Sequence, residues 1–351
     1  MKNFEYIRPT TLEEAQSAAL GKDAVFLAGG TNLVDLMKVG VARPDRVIDI
    51  TGLPDMDRVD YLADGSIRIG ALVRNTDLAC HPQFSRDCPA VAEAILSGAS
   101  GQLRNAATAG GNILQRTRCA YLFDLASPCN KRDPGAGCGA RHGENHSMAV
   151  LGWSESCIAT HPSDFSVPMA ALDAVVEIIG PAGRREVALV SFHTLPGSSP
   201  ERETVLAQGE LVVALRLPPS AKTFAQHTRY LKLRDRTSFA FGVVSAAAGL
   251  VLKDGVITDA RLALGGVALK PWRAREAEAA LVGQPAGEAL FRSAADIALA
   301  EARPSGHNAY KIELSRRLIL RTFVAAQTGV DQQPALPGSV FSTQPRVSAD
   351  G

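Results

Sequence analysis

Net charge is nearly absent from this sequence: 37 Lys and Arg stand against 36 Asp and Glu in 351 residues. Neither nucleic acid nor an anionic membrane surface is therefore suggested as a bulk partner, and recognition has to be local. A long apolar segment is lacking as well. The longest run, Ser238 to Leu252, is broken by Ser245 and Gly249. It falls short of the roughly twenty residues that span a bilayer, excludes membrane insertion, and reads as buried sheet. Met1 to Pro9 contains no apolar stretch and no twin arginine; a cytoplasmic location is expected from the absence of an export signal. Closely set cysteine pairs are missing too, which removes the short knuckle of structural zinc and the plant-type two-iron pattern. No third glycine completes a dinucleotide fingerprint after Gly29-Gly30.

What is present is concentrated between Thr108 and Cys157. Thr108-Ala109-Gly110-Gly111-Asn112 runs into Cys119, Cys129, Cys138 and Cys157, with nine, eight and eighteen residues between successive cysteines. Glycines let backbone N–H groups approach a phosphate, and four thiolates hold iron-sulfur or zinc. Buried free thiols are the plain alternative, and disulfides a weaker one in a chain long enough for two or three domains. Cys129 and Cys138, however, lie in a Pro-, Gly- and Asn-rich loop with nothing to bury, which favours ligation. His142, His146 and His161 are candidate substitute ligands, and Cys80 and Cys88 are read as structural.

An earlier diglycine, Gly29-Gly30-Thr31-Asn32, follows the short apolar strand Ala24 to Ala28 and precedes a helical segment from Leu33 to Lys38. Backbone N–H groups and a helix N-terminus can converge there on a diphosphate, although many such turns only reverse the chain. Two cradles of this kind suit a long dinucleotide such as FAD. Arg104 adds a polar group or a structural ion pair, and Lys232 is either a functional cation or a surface charge.

Thr11-Leu12-Glu13-Glu14 is a capping box that starts a helix running to about Leu20. A strand follows over Arg46 to Ile50, then Ile67 and Ile69 alternate in a strand, and Asp77 is placed as a helix cap. Pro89 to Leu96 reads as a helix, Ala174 to Gly180 and Arg185 to Leu189 as paired strands, and Leu211 to Leu217 as another. Lys253-Asp254-Gly255 joins two long apolar runs as a hairpin. Helices are expected over Arg275 to Leu281, Glu288 to Ala302 and Asn308 to Thr328. The tail 331–351, with Pro334, Pro337 and Pro345, is expected to be extended or disordered.

In this order the residues Leu27 to Asn32, Arg104-Asn105, Thr108 to Asn112, Asp124 and Lys232 resemble the FAD-binding subunit of the xanthine dehydrogenase and aldehyde oxidoreductase family of molybdenum hydroxylases. The likeness runs from Met1 to about Val330. It implies an α+β fold: a PCMH-type, vanillyl-alcohol-oxidase-like FAD-binding domain with lobes 1–60 and 61–220, then an α+β domain over 225–330 like that of carbon monoxide dehydrogenase flavoproteins. A stretch of about forty residues after Asp124 departs from most of the family and is too long for an unexplained loop. With Cys119-Ala120-Tyr121, Pro128-Cys129-Asn130-Lys131-Arg132 and Ser156-Cys157, this insert (119–162) resembles the branch whose flavin subunit carries an extra [4Fe-4S] cluster.

The resemblance implies that Leu27, Ala28, Gly29, Gly30, Thr31, Asn32 and Leu33 wrap the FAD diphosphate, and that Thr108, Gly111 and Asn112 form the second cradle. Asp124 would hold a polar part of the cofactor, Lys232 would be a cationic neighbour of the flavin, and Cys119, Cys129, Cys138 and Cys157 would ligate the cluster. It further implies a molybdenum-cofactor subunit and a [2Fe-2S] subunit as partners, an external electron acceptor, no catalytic acid or base in this chain, and possible co-export to the periplasm with a twin-arginine-bearing partner. The rival readings are a self-contained flavin dehydrogenase or oxidase and a zinc-binding docking module.

Overall fold

The computed structural model describes residues 1–330 except Lys22; the proline-containing tail lies outside the described residues. Three sheets follow one another along the chain. β1 (Glu5–Ile7), β2 (Ala24–Leu27) and β3 (Arg46–Asp49) form a parallel sheet in the order β1-β3-β2. The helix Leu12–Ala19 connects the first two strands. Its cap is shifted from the expected box: Thr11 Oγ1 accepts from Glu14 N at 3.2 Å, and Glu14 reaches back to Thr10 N at 2.8 Å.

β4 (Val59–Tyr61), β5 (Ile67–Gly70), β6 (Val175–Gly180), β7 (Gly183–Ala188) and β8 (Leu211–Leu217) make an antiparallel sheet in the order β4-β5-β8-β6-β7. Asp77, expected as a cap, lies inside the helix Asn75–Ala79, with Arg74 at the cap position. A side-chain cap is unnecessary because Asn75 N donates to Ala107 O at 2.9 Å. The long connection from β5 to β6 carries the second diglycine and all four clustered cysteines.

β9 (Thr228–Leu233), β10 (Val244–Lys253), β11 (Val256–Gly265) and β12 (Trp272–Arg273) form the third sheet, antiparallel in the order β12-β11-β10-β9. Asp254 and Gly255 both have positive φ, 52° and 79°, as a two-residue primed turn requires. The reading of Ser238 to Leu252 as buried sheet holds only from Val244. Residues 238–243 form a loop with Phe239 67 % and Phe241 49 % exposed. Pairing resumes only where Val244 meets Leu233, so the apolar residues before it border cavities instead of filling a core.

The helices Arg275–Leu281, Glu288–Ala298 and Tyr310–Thr328 cover this sheet around a second apolar core, in which Phe291 and Phe323 stack at 5.2 Å. Two boundaries differ from expectation. Beyond Ala298 the chain tightens into three-residue turns, with Ala302 N bonded to Leu299 O. Asn308, placed as the start of a helix, instead donates to Met148 O at 3.0 Å and Ala149 O at 3.1 Å.

Those bonds clamp the cysteine insert, which has a small buried apolar cluster of Ala140, Met148 and Ile158 and sends Val150 and Leu151 into the second core. Arg132 Nη1 gathers the carbonyls of Tyr121, Leu122 and Asp124 at 2.9–3.1 Å. Lys311 is fully buried, and its Nζ donates to Ser147 O, Met148 O and Gly266 O at 2.6–2.9 Å. Burial pushes its pKa down to about 7. Lys311→Met removes the donor to Ser147 O and Gly266 O, while Met148 O keeps Asn308; at about 1–3 kcal/mol for each group so orphaned, a loss of about 2 kcal/mol or more is expected. Chemical denaturation of wild type and variant measures it.

Candidate functional site

Where β2 ends, Gly29, Gly30, Thr31 and Asn32 turn the chain into the helix Leu33–Lys38. All seven residues from Leu27 to Leu33 line a cavity of about 310 Å³. A Cβ on Gly29 would stand 1.8 Å from Ala106 O, so only glycine lets this turn close onto the segment leading to the second cradle.

The second diglycine is the first turn of the short helix Ala109–Ile113, not a free turn. Thr108 caps it by accepting from Gly111 N at 3.3 Å. Ala109 N and Gly110 N donate to Val73 O and Ala71 O at 2.9 Å, which packs Gly110 against the chain beyond β5. Gly111 opens instead to two cavities, the one just described and another of about 250 Å³.

The two cavities share Thr31, Asn32 and Gly111, so both cradles meet at one corner. Along the smaller one, Asn32 Nδ2, Asn75 Oδ1 and Arg104 Nε are buried with no hydrogen-bond partner among the described residues. Buried polar atoms are nearly always satisfied, and each orphan costs about 1–3 kcal/mol until something meets it. Glycine backbone at the corner with three unmet polar atoms along one arm fits a flavin dinucleotide whose diphosphate lies at the corner.

Lys232 lines the smaller cavity, and its buried side chain overturns the surface-charge reading. The ammonium is already paired, 2.7 Å from Asp164 Oδ2, while Tyr230 Oη donates to Asp164 Oδ1 at 2.5 Å. Nothing in the sequence marked Asp164, because its partners come from β9, more than sixty residues away. Arg118 lies 5.1 Å from the ring centre of Phe241 at the mouth of the same cavity. Asn112, also in this wall, accepts from Ser163 Oγ at 2.8 Å.

A larger cavity of about 830 Å³ adjoins, sharing Arg118, Asp164 and Phe241 with the smaller one and Cys119 and Tyr121 with the cysteine site. Asp124 faces this cavity and neither cradle. Its carboxylate accepts from Ser127 Oγ at 2.6 Å and Ala126 N at 3.1 Å, which hold it below the usual range.

Cys119, Cys129, Cys138 and Cys157 line one small enclosed cavity, all as free thiols. Cys129 and Cys138 face each other across an antiparallel bridge, and Asn130 holds that loop by accepting from Gly137 N at 2.8 Å. Burial pushes the Cys119 and Cys157 thiols up to about 11. Among the described residues no group of three or more His, Cys, Asp or Glu is gathered for a single metal ion. Four cysteines lining one cavity are a donor set of the chemical kind that thiolate-bound metal uses. His142 and His146 are exposed and His161 is buried, but none lines this cavity. Cys80 and Cys88 lie apart, as expected.

The His161 and His193 rings meet at 4.4 Å, tilted by 52°, with His193 Nε2 2.7 Å from Ile113 O. Burial pushes His193 down to about 4 and His161 well below its ordinary value. Since the folded values lie below the unfolded value of about 6.5, the neutral pair contributes stability that is full above pH 6.5 and lost as pH falls toward 4. His193→Gln should flatten the dependence of unfolding free energy on pH across that window, as urea titrations at successive pH values would record.

Comparison with known proteins follows the same division of the chain. A family described as the FAD binding domain in molybdopterin dehydrogenase matches residues 2–220, and the CO dehydrogenase flavoprotein C-terminal domain matches residues 229–326. The aldehyde oxidoreductase FAD-binding subunit PaoB of Escherichia coli is 48 % identical over 93 % of this chain and 99 % of its own length. The carbon monoxide dehydrogenase medium chain of Hydrogenophaga pseudoflava is 28 % identical over 92 % of this chain and 96 % of its own. A carbon monoxide dehydrogenase structure from that organism superposes with a TM-score of 0.71 at 28 % identity, covering 93 % of this chain and 98 % of that one. No helix among the described residues is long and apolar enough to cross a membrane.

Proposed function

This chain belongs to the family of FAD-binding proteins of the molybdopterin dehydrogenases, and on that premise we propose that it is the FAD-binding electron-transfer subunit of a multi-subunit molybdenum-containing aldehyde oxidoreductase. The observation that carries the reading is the meeting of both glycine cradles at Thr31, Asn32 and Gly111, with unpartnered polar atoms along one arm. When bound, FAD supplies a redox centre that takes electrons from the [2Fe-2S] clusters of a partner subunit and yields them to an external acceptor. The protein contributes position and electrostatics.

In this reading lobes 1–60 and 61–220 hold the cofactor between them, and 225–330 closes the site with β9. Leu27 to Leu33 wrap the diphosphate, and Thr108, Gly111 and Asn112 form the second cradle. Lys232 presents a cation whose charge Asp164 offsets, and Asp124 meets whatever polar group reaches the adjoining cavity. Substrate oxidation belongs to a molybdenum-cofactor partner, so no residue here acts as general base toward aldehyde.

We further propose that Cys119, Cys129, Cys138 and Cys157 hold a [4Fe-4S] cluster. Support comes from their lining one cavity within the insert. Binding a cation would reverse the upward push of burial on the thiols, since a coordinating thiol is deprotonated outright.

The test is anaerobic addition of aldehyde. Flavin absorbance should bleach in the assembled complex and stay unchanged in the isolated chain. Turnover by the isolated chain would establish a self-contained dehydrogenase instead.

A further inference from the structure

Between the cysteine site and the flavin cradle lies a network of three charges, with Lys131 buried and Glu203 and Arg116 half-buried. Lys131 is 5 % exposed, lines the cysteine cavity, and donates from Nζ to Pro200 O at 2.7 Å and Glu203 Oε1 at 2.9 Å. The same oxygen accepts from Arg116 Nε and Nη2, each at 3.2 Å. Arg116 in turn lines the cradle cavity, and its backbone N donates to Asn32 Oδ1 at 2.9 Å. One carboxylate oxygen therefore ties a cation beside the four sulfurs to a cation beside the diphosphate turn.

Burying the Lys131 ammonium is costly, and removing its Glu203 partner would leave that charge uncompensated. Two cations and one anion leave a net charge of about +1 in a low-dielectric setting, where a nearby charge acts strongly. One-electron reduction of a thiolate-bound iron-sulfur cluster adds one negative charge, and its potential follows local net charge and hydrogen bonding.

We propose that Lys131, positioned by Glu203 and Arg116, sets the reduction potential of the cluster bound by the four cysteines. The inference rests on the cluster reading above. Lys131 is a positioning residue: it ligates nothing and favours the reduced cluster through its charge.

The test is a potentiometric titration of the intact complex with dithionite, following the cluster by electron paramagnetic resonance, with iron and flavin measured on every sample. Lys131→Met removes a positive charge and should move the midpoint to more negative potential. Glu203→Gln removes the opposing charge and should move it to more positive potential, while Lys131→Arg should stay near wild type. Shifts of opposite sign are the signature, because a merely structural role would not reverse with the sign of the charge removed. Shifts of the same sign, or none at wild-type iron content, overturn the proposal. Should Lys131→Met fail to load iron, the direction given by Glu203→Gln decides alone. Wild-type complex that holds no iron beyond its partner's clusters would sink the cluster reading itself, which is a different result from an unshifted midpoint.

Discussion

On the proposed cluster assignment, Cys138→Ser is expected to strip the iron bound by the four cysteines and to loosen the insert while leaving FAD in place. Cys138 sits across from Cys129 in a loop held by a few hydrogen bonds, with only three buried apolar residues in the insert's own cluster. Val150 and Leu151 anchor the later part of the insert in the second core, and metal ligation would add folding free energy directly at the loop that carries Cys129 and Cys138. A loss of about 3 kcal/mol would lower the melting temperature by roughly 6–12 °C for a domain of 150–250 residues. The flavin cavities share no lining residue with the cysteine cavity, so flavin content should remain at wild-type level. Iron analysis, a thermal melt and limited proteolysis between 128 and 160 read the three effects. Full iron content with an unchanged melt would remove Cys138 from the ligand set.

Gly29→Ala should abolish tight FAD binding, and here the argument is steric. The added Cβ would stand 1.8 Å from Ala106 O and 2.6 Å from Ala106 C, both backbone atoms that no rotamer change can move aside. Relief requires separating the first turn from the segment that leads into Thr108, which are the two walls that must converge on the diphosphate. Overpacking of this kind costs about 1–3 kcal/mol or more. If that falls on the bound geometry, affinity should drop on the order of a hundredfold, equivalent to about 2.7 kcal/mol. Gly101→Ala is the matched control: its Cβ meets nothing within 4 Å, at the start of the helix Gly101–Ala106. It should bind FAD as wild type does. Equal affinity for Gly29→Ala and Gly101→Ala, measured by quenching of flavin fluorescence, would contradict the cradle assignment.

Much of this arrangement is legible in the sequence because its signals are local. The capping box at Thr11, the Asp254-Gly255 hairpin and the alternation of Ile67 and Ile69 each specify their structure within a few residues. Both diglycines were likewise visible, and spacing in the chain sufficed to suggest two facing cradles. The features that escaped depend on partners far away. Asp164 carries no local mark; its position is defined by Tyr230 and Lys232. Lys311 reads as one more charge on an amphipathic helix, yet its ammonium is buried among carbonyls of the insert, 164 and 163 residues away in two cases. Lys131, Glu203 and Arg116 are ordinary charges in sequence and form a network only after the insert folds over the second lobe. Phe239 and Phe241 show the opposite failure: the apolar run reads as strand, although its residues Phe239 to Val243 line cavities and precede the paired strand.

The central claim is that a flavin dinucleotide and a four-iron cluster share this one chain. Its most direct test is the iron, acid-labile sulfide and flavin content of the complex purified without air, together with its visible spectrum. About one FAD and about four iron and four sulfide per copy of this chain, beyond the partner's two-iron clusters, are expected, with a broad iron-sulfur absorbance bleached by dithionite. Folded complex that contains zinc in their place, or neither flavin nor additional iron, would contradict the account.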